Sequence, residues 1–137
     1  MKPFLTSILI LLSLSVFSQK LEKFEFSECL DEELTYSINN RIVSQKFEDD
    51  LFVIEISVVV NCCGNELGSI DVDGDTLRLF SSARPEPVED ENGDLVEYVS
   101  IECDCICCFT FKYFISGLEK KAYSVFYEDK PIKESEH

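Results

Sequence analysis

The sequence predicts an all-β fold, an antiparallel β-sandwich of six to seven strands and of the immunoglobulin-like kind. Apolar and polar residues alternate over two long stretches, 51–63 and 99–115, which is typical of strands. Shorter alternating stretches lie between turn-forming residues, and no stretch has the period of a long helix. Residues 19–137 are expected to form a single domain, because the chain of 137 residues is close to the usual domain size.

Residues 1–18 have the features of a secretory signal peptide. Lys2 supplies the positive start, an apolar stretch runs from Phe4 to Phe17, and cleavage is expected after Ser18. This stretch is shorter than the roughly 20 residues that a membrane-spanning helix requires. We therefore expect a mature chain that is secreted or periplasmic and has no membrane span.

Between residues 21 and 63 the sequence predicts two uncertain elements and one clear strand. Residues 21–34 fit either a first strand or a short helix, and residues 36–42 alternate weakly. Residues 51–63 predict a central strand, because they are rich in β-branched residues and one set of alternate positions is wholly apolar. That set consists of Phe52, Ile54, Ile56, Val58, Val60 and Cys62.

Residues 70–77 predict a β-hairpin. Asp73-Gly74 is a common two-residue turn sequence, and a turn there would place Ile70 opposite Leu77. Beyond it, residues 81–94 have the composition of a surface loop. A long strand is then expected over 99–115, with a bulge near Cys107 and Cys108, and a last strand over 122–127.

Acidic residues suggest a weak alternative function for two of these segments. Asp71, Asp73 and Asp75 alternate as carboxylates do in some Ca²⁺ loops, although the glycine and glutamate of an EF-hand are not at the required positions. Residues 85–104 contain eight acidic residues and no basic one, so this segment is a second weak candidate for a cation site. Its candidate ligands are Glu86, Glu89, Asp90, Glu91 and Asp94.

The cysteines are the most specific feature of the sequence. There are seven: Cys29, Cys62, Cys63, Cys103, Cys105, Cys107 and Cys108. In an oxidising compartment an odd number predicts three disulfides and one free thiol. Alternation places Cys62 on the same inward face as Cys103, Cys105 and Cys107, one of which is its expected partner. We expect Cys63 to pair with Cys108 on the outer face, and Cys29 to form the third bridge.

Three interpretations of this cluster remain open. The first is a structural, disulfide-linked end of the sandwich, with no cofactor. The second is a thiolate site for zinc or copper, because convergent thiolates suit soft metals, although alternate strand positions splay their side chains. The third is a thiol with a redox role or an interchain bridge.

Other function classes have little support in the sequence. The net charge of −15 disfavours nucleic-acid binding, which requires a clustered positive field. The only histidine is the terminal His137, so histidine-assisted nucleophilic catalysis is not expected. Among the aromatic side chains of the last strands, Phe114 and Phe126 are the expected exposed ones. The sequence therefore predicts an exported, non-catalytic module whose partner, an unknown protein or cell-surface component, it does not specify.

Overall fold

The computed structural model describes residues 18–30, 39–65 and 67–134. These residues contain ten strands and no helix. The first five are β1 (Lys20–Phe26), β2 (Arg41–Glu48), β3 (Leu51–Asn61), β4 (Leu67–Asp73) and β5 (Thr76–Ser82). The others are β6 (Glu86–Glu89), β7 (Leu95–Val99), β8 (Ile106–Ser116), β9 (Ser124–Tyr127) and β10 (Lys130–Pro131). The predicted all-β class is confirmed, with more strands than the six to seven expected.

The strands form two four-stranded sheets and one separate hairpin. The first sheet has the order β1-β8-β3-β2 and is antiparallel throughout. The second has the order β10-β9-β5-β4 and contains one parallel pair, β5 with β9. The apolar faces of the two four-stranded sheets pack against each other, which is consistent with a β-sandwich. The third sheet consists of β6 and β7 alone.

The core lies between the two four-stranded sheets and is centred on the antiparallel pair β3–β8. This pair runs without interruption from Leu51 opposite Ser116 to Asn61 opposite Ile106. The predicted inward face of β3 is confirmed, because Phe52, Ile54, Ile56 and Val58 are buried. The second sheet contributes Leu77, Leu79, Val125 and Tyr127 to the same core. Each such fully buried side chain stabilises the fold by roughly 1.5–3 kcal/mol relative to an exposed one.

The long strand expected over 99–115 is present over its larger part, residues 106–115, and is wrong for residues 100–105. β7 ends at Val99, residues 100–105 form no strand, and β8 begins at Ile106. β8 begins opposite the last residue of β3, since Asn61 is paired with Ile106 and the chain turns away beyond Asn61. The bulge expected near Cys107 and Cys108 is also wrong, because the β3–β8 register is continuous there.

The hairpin expected over 70–77 exists with a different register. β4 and β5 pair so that Ile70 lies opposite Leu79, and the turn consists of Gly74 and Asp75. Gly74 has a φ of 58° at the first central position, which is where a type II′ turn requires glycine. A shift of two residues leaves each side chain on its original face, so the apolar pattern is equally satisfied by both registers.

The first strand, the loop after β5 and the last predicted strand are present with altered bounds. Residues 20–26 form a strand, which is one of the two alternatives predicted for the first segment. The expected loop 81–94 contains the short strand β6, and the last predicted strand is present over Ser124–Tyr127. The expected signal peptide, apart from Ser18, and residues 36–38 of the second predicted strand lie outside the described residues, and the last two residues of that predicted strand, Arg41 and Ile42, begin β2.

Two buried tyrosines connect the core to β5. The Tyr113 hydroxyl donates a hydrogen bond to the Phe80 carbonyl oxygen at 3.0 Å. The Tyr127 hydroxyl lies 2.7 Å from the Ser81 hydroxyl. Burial raises the pKa of both tyrosines, and that of Tyr127 rises to about 12. Both phenols therefore stay neutral to a higher pH than an exposed tyrosine, because burial disfavours the charged form.

We predict that Tyr127 stabilises the fold at neutral pH and loses this contribution in alkali. Its folded pKa of about 12 lies above the ordinary value, so the contribution is full below about pH 10 and declines as the pH rises further. The measurement is the tyrosinate absorbance of the wild type minus that of Tyr127→Phe across this range. A difference spectrum with a midpoint near the ordinary tyrosine pKa would contradict the prediction.

Candidate functional site

Six of the seven cysteines form three disulfides where β3 ends and β8 begins. We name this region the cysteine end; it comprises Cys29, residues 61–64 and residues 101–108. The bridges are Cys29–Cys107, Cys62–Cys105 and Cys63–Cys103, with Cα separations of 5.7, 5.6 and 5.5 Å. These separations are usual for disulfides. The predicted number of three bridges and one free thiol is confirmed.

The predicted pairing is correct in part. Cys62 does pair with one of the inward set, and Cys29 does supply a further bridge. The expected Cys63–Cys108 bridge is wrong, because Cys63 pairs with Cys103. The register explains this result: Cys108 is paired with Val59 inside the ladder, whereas Cys63 lies beyond the last residue of β3.

Cys108 carries the free thiol and lies on the face of β8 opposite the core, as expected, but it is fully buried there. Its Sγ lies 3.3 Å from the hydroxyl oxygen of Ser57, which is also buried. On the other face of the same strand, Cys107 belongs to the core. A thiol in this position is inaccessible to solvent, which is typical of a structural cysteine and unlike a reactive one.

The Cys29–Cys107 bridge fixes the segment that follows β1. The Ser27 amide donates to the Thr110 carbonyl, and the Leu30 amide donates to the Cys108 carbonyl. Residues 27–30 therefore continue alongside β8 after β1 has ended. The disulfide joins this exposed segment covalently to Cys107, the buried second residue of β8.

Asn61 holds the two cysteine-containing segments together by hydrogen bonds. Its side-chain oxygen accepts from the Cys63 amide at 3.0 Å and from the Cys103 amide at 3.1 Å. Its side-chain nitrogen donates to the Cys103 carbonyl oxygen. The bond to Cys63 is that of an Asx turn, and the bonds to Cys103 replace ladder bonds beyond the end of β3. Sequence reasoning missed this role, although an asparagine directly before Cys62-Cys63-Gly64 is a turn signal.

Gly64 allows the chain to turn away at the same point. It has a φ of 79°, and an added Cβ would lie 2.7 Å from the Cβ of Ala83 and 3.0 Å from the carbonyl oxygen of Ile101. Only glycine combines this φ with such close neighbours at low cost. The end of β3, the end of β5 and the segment before Cys103 thus meet at Gly64.

The sulfur atoms of the two adjacent bridges lie close together. The Sγ atoms of Cys62, Cys63 and Cys103 all lie within 4.8 Å of one another, and their residues are half-buried. Cys105 is bonded to Cys62 and is exposed. As disulfides these sulfurs cross-link the chain; after reduction they would offer thiolates to a metal ion. Sulfur ligands of tetrahedral Zn²⁺ lie about 3.8 Å apart, given Zn–S bonds of about 2.3 Å.

The candidate calcium ligands lie away from the cysteine end. Asp71 forms an ion pair with Arg78 at 3.1 Å, and Asp75 forms one with Lys121 at 2.7 Å. Asp73 is exposed at the end of β4. Among the described residues, the group of potential metal ligands that converge is the sulfur group. Calcium binding by Asp71, Asp73 and Asp75 stays a prediction.

The acidic segment 85–104 forms the β6–β7 hairpin and the chain that follows it. At the hairpin tip, the Asp90 side chain accepts hydrogen bonds from the Asn92 and Asp94 amides at 2.8 and 3.0 Å. These bonds hold the pKa of the Asp90 carboxyl below its ordinary value. The carboxylate therefore helps to order the turn, and calcium binding by this segment also stays a prediction.

The aromatic side chains expected to be exposed are not the most exposed ones. Phe114 and Phe126 are half-buried, and the Lys23 and Lys112 ammonium groups each lie 5.5 Å from the centre of the Phe114 ring. Tyr98 and Phe26 are more exposed.

No family model matches this chain, and no curated protein and no solved structure matches it either. Within the described ranges, no helix is long and apolar enough to cross a membrane.

We predict that Asn61→Ala lowers the free energy of unfolding by about 1–3 kcal/mol. Two backbone amides lose their acceptor and one carbonyl loses its donor, and partly buried polar groups without partners carry this cost. The measurement is urea unfolding without reductant. Asn39→Ala is the matched control, because Asn39 is exposed. Equal midpoints for the two variants would contradict the role given to Asn61.

Proposed function

We propose that this protein is an exported, non-catalytic β-sandwich module that binds a protein or cell-surface partner in the periplasm or outside the cell. We also infer that its first 18 residues are a cleaved signal peptide and that its sandwich is of the immunoglobulin-like kind. The observation that carries the proposal is the set of three disulfides at one end of the sandwich.

The compartment follows from the persistence of disulfides. Bridges of this kind are stable in oxidising environments and are rare in the cytosol. The apolar stretch from Phe4 to Phe17 supports the same conclusion, because it has the length and position of a signal peptide.

The non-catalytic assignment rests on the state of the cysteines. Six of them are joined in disulfides, and the seventh is buried beside Ser57. None of these sulfurs is therefore an accessible thiolate, the form that nucleophilic and redox chemistry needs. A rigid, cross-linked end suits binding, because a surface that is already ordered loses less entropy when a partner binds.

We predict one free thiol per chain when the purified protein is denatured without reductant, and none that reacts rapidly in the native state. Alkylation followed by mass measurement gives both numbers. Cys108→Ala is the control and should lower the denatured count to zero. A fast-reacting thiol in the native protein would support the redox alternative, and five or more free thiols would contradict the cross-linked module.

A second candidate function is favoured by the sulfur geometry. The Sγ atoms of Cys62, Cys63 and Cys103 lie within 4.8 Å of one another, and Cys105 is the partner of Cys62. Two molecules of a dithiol reductant would supply the four electrons and four protons that convert the two bridges into four thiols. Loss of the thiol protons on binding would then give a four-thiolate site of the type that zinc or copper(I) occupies.

For this second function we predict that the reduced protein, kept free of oxygen, binds one Co²⁺ per chain, as a spectroscopic substitute for Zn²⁺. The binding should weaken at least tenfold in Cys63→Ser, which removes one of the converging ligands. Replacement of Cys29 by serine is the matched control, because Cys29 pairs with Cys107 and is not among the converging sulfurs. Equal affinities in the two variants would exclude the proposed site.

A further inference from the structure

The β6–β7 hairpin packs little against the rest of the described chain. Every residue of β6 and all of β7 except the half-buried Val99 are exposed. Within the part of the chain that the structure describes, no third strand pairs with either of them. A two-stranded hairpin without a core is marginally stable in water, so this one needs support from elsewhere.

Apolar side chains project from this hairpin into solvent. Val96 and Tyr98 are 63% and 64% exposed and lie on the same face of β7, since they are two residues apart. Pro87 lies opposite Tyr98 on β6, and the neighbouring Leu95 is 54% exposed. Apolar side chains grouped on a protruding element are typical of a surface that a partner covers.

The charge around these side chains specifies the kind of partner. Residues 85–104 contain eight acidic residues and no basic one. Such a field attracts basic groups and accelerates their association. It also repels the same hairpin of a second copy, so the complementary surface has to carry lysine or arginine beside apolar residues.

The two outer edges of the hairpin are interrupted at different places. β6 contains Pro87, which lacks an amide N–H, whereas β7 contains one extra residue, Val96, because Val88 is paired with Glu97 and Glu89 with Leu95. Prolines and bulges make a strand edge a poor template for pairing. On β7 the irregularity is confined to Val96, so the backbone donors and acceptors of the regular outer edge over residues 97–99 are available to an added strand.

The cysteine end holds the hairpin in place. Cys103 and Cys105 lie a few residues after β7, and their bridges join this segment to Cys63 and Cys62 at the end of β3. The Asn61 side chain adds hydrogen bonds to Cys103. The hairpin is therefore anchored covalently at its base while its strands remain exposed.

We propose that the β6–β7 hairpin is the docking surface of the module and that it binds an extended segment of a partner protein in which basic and apolar residues alternate. The segment pairs with the outer edge of β7 over residues 97–99, its apolar side chains cover Val96 and Tyr98, and its basic side chains face the hairpin carboxylates. This inference rests on the proposed binding function and names the class of partner.

The test uses a random peptide library displayed on phage, selected against the full mature protein at physiological salt. We expect selected peptides in which lysine or arginine alternates with apolar residues. Their binding to the wild type is measured by fluorescence anisotropy, and hydrogen exchange should show slower exchange of the β7 amides in the complex. The amides of β2, an edge strand of the first four-stranded sheet, should be unchanged.

Two variants separate the hairpin from the general negative charge of the protein. The double substitution Val96→Ser and Tyr98→Ser should weaken binding at least tenfold without changing the net charge. Val43→Ser is the matched control, because Val43 is 50% exposed on β2, and it should bind as the wild type does. Circular dichroism and urea midpoints verify that both variants are folded.

Two outcomes would overturn the proposal. One is a selection that gives no peptides, or peptides without basic and apolar alternation. The other is equal binding of these peptides by the wild type and the Val96→Ser/Tyr98→Ser variant, which would place the docking surface elsewhere. Neither outcome changes the thiol count, so a failure of the hairpin proposal is distinguishable from a failure of the cross-linked module.

Discussion

The antiparallel pairing of β3 with β8 is the interaction on which the rest of this structure depends. It joins eleven residues of each strand in one uninterrupted register. One face of the pair carries the centre of the core, and its neighbours β1 and β2 complete the sheet. The same register fixes where the ladder ends, with Asn61 opposite Ile106. A shift by one residue would turn every core side chain toward the opposite face, and it would also move Cys62 and Cys63 away from their partners.

The β3–β8 ladder and the chain beyond its cysteine end are stabilised by different physical means. Within the ladder, burial of apolar side chains supplies the stabilisation. At the cysteine end, the segment before β8 buries few apolar side chains, since residues 100–106 are exposed except for the half-buried Cys103. Covalent bridges and the hydrogen bonds of Asn61 act there instead. A disulfide contributes typically 2–4 kcal/mol, in the usual account by restricting the unfolded chain, so it can order a segment that buries almost nothing.

The parts of this arrangement that the sequence predicts are those that depend on local alternation. The burial of Phe52 to Val58 at alternate positions is predictable because each side chain's face follows from its place in the strand. The register of β4 with β5 is not, because a shift by two residues keeps Ile70 and Leu79 on the buried face. The Cys63–Cys103 bridge is not predictable either, because it depends on where β3 ends, and the hydrogen bonds of Asn61 set that point.

The exposed hairpin shows how these two forms of stabilisation combine. An edge strand with exposed apolar residues is normally an aggregation hazard, because it can pair with its own copies. Here the surrounding carboxylates oppose that pairing, since two copies would bring sixteen acidic residues together. The same carboxylates attract a basic segment and so do not oppose its pairing with the hairpin. The bridges at Cys103 and Cys105 remove the need for the hairpin to fold back onto the core. Cross-linking holds the hairpin in place, and its charge opposes self-association. An apolar edge can therefore stay exposed, and a docking surface requires such an exposed edge.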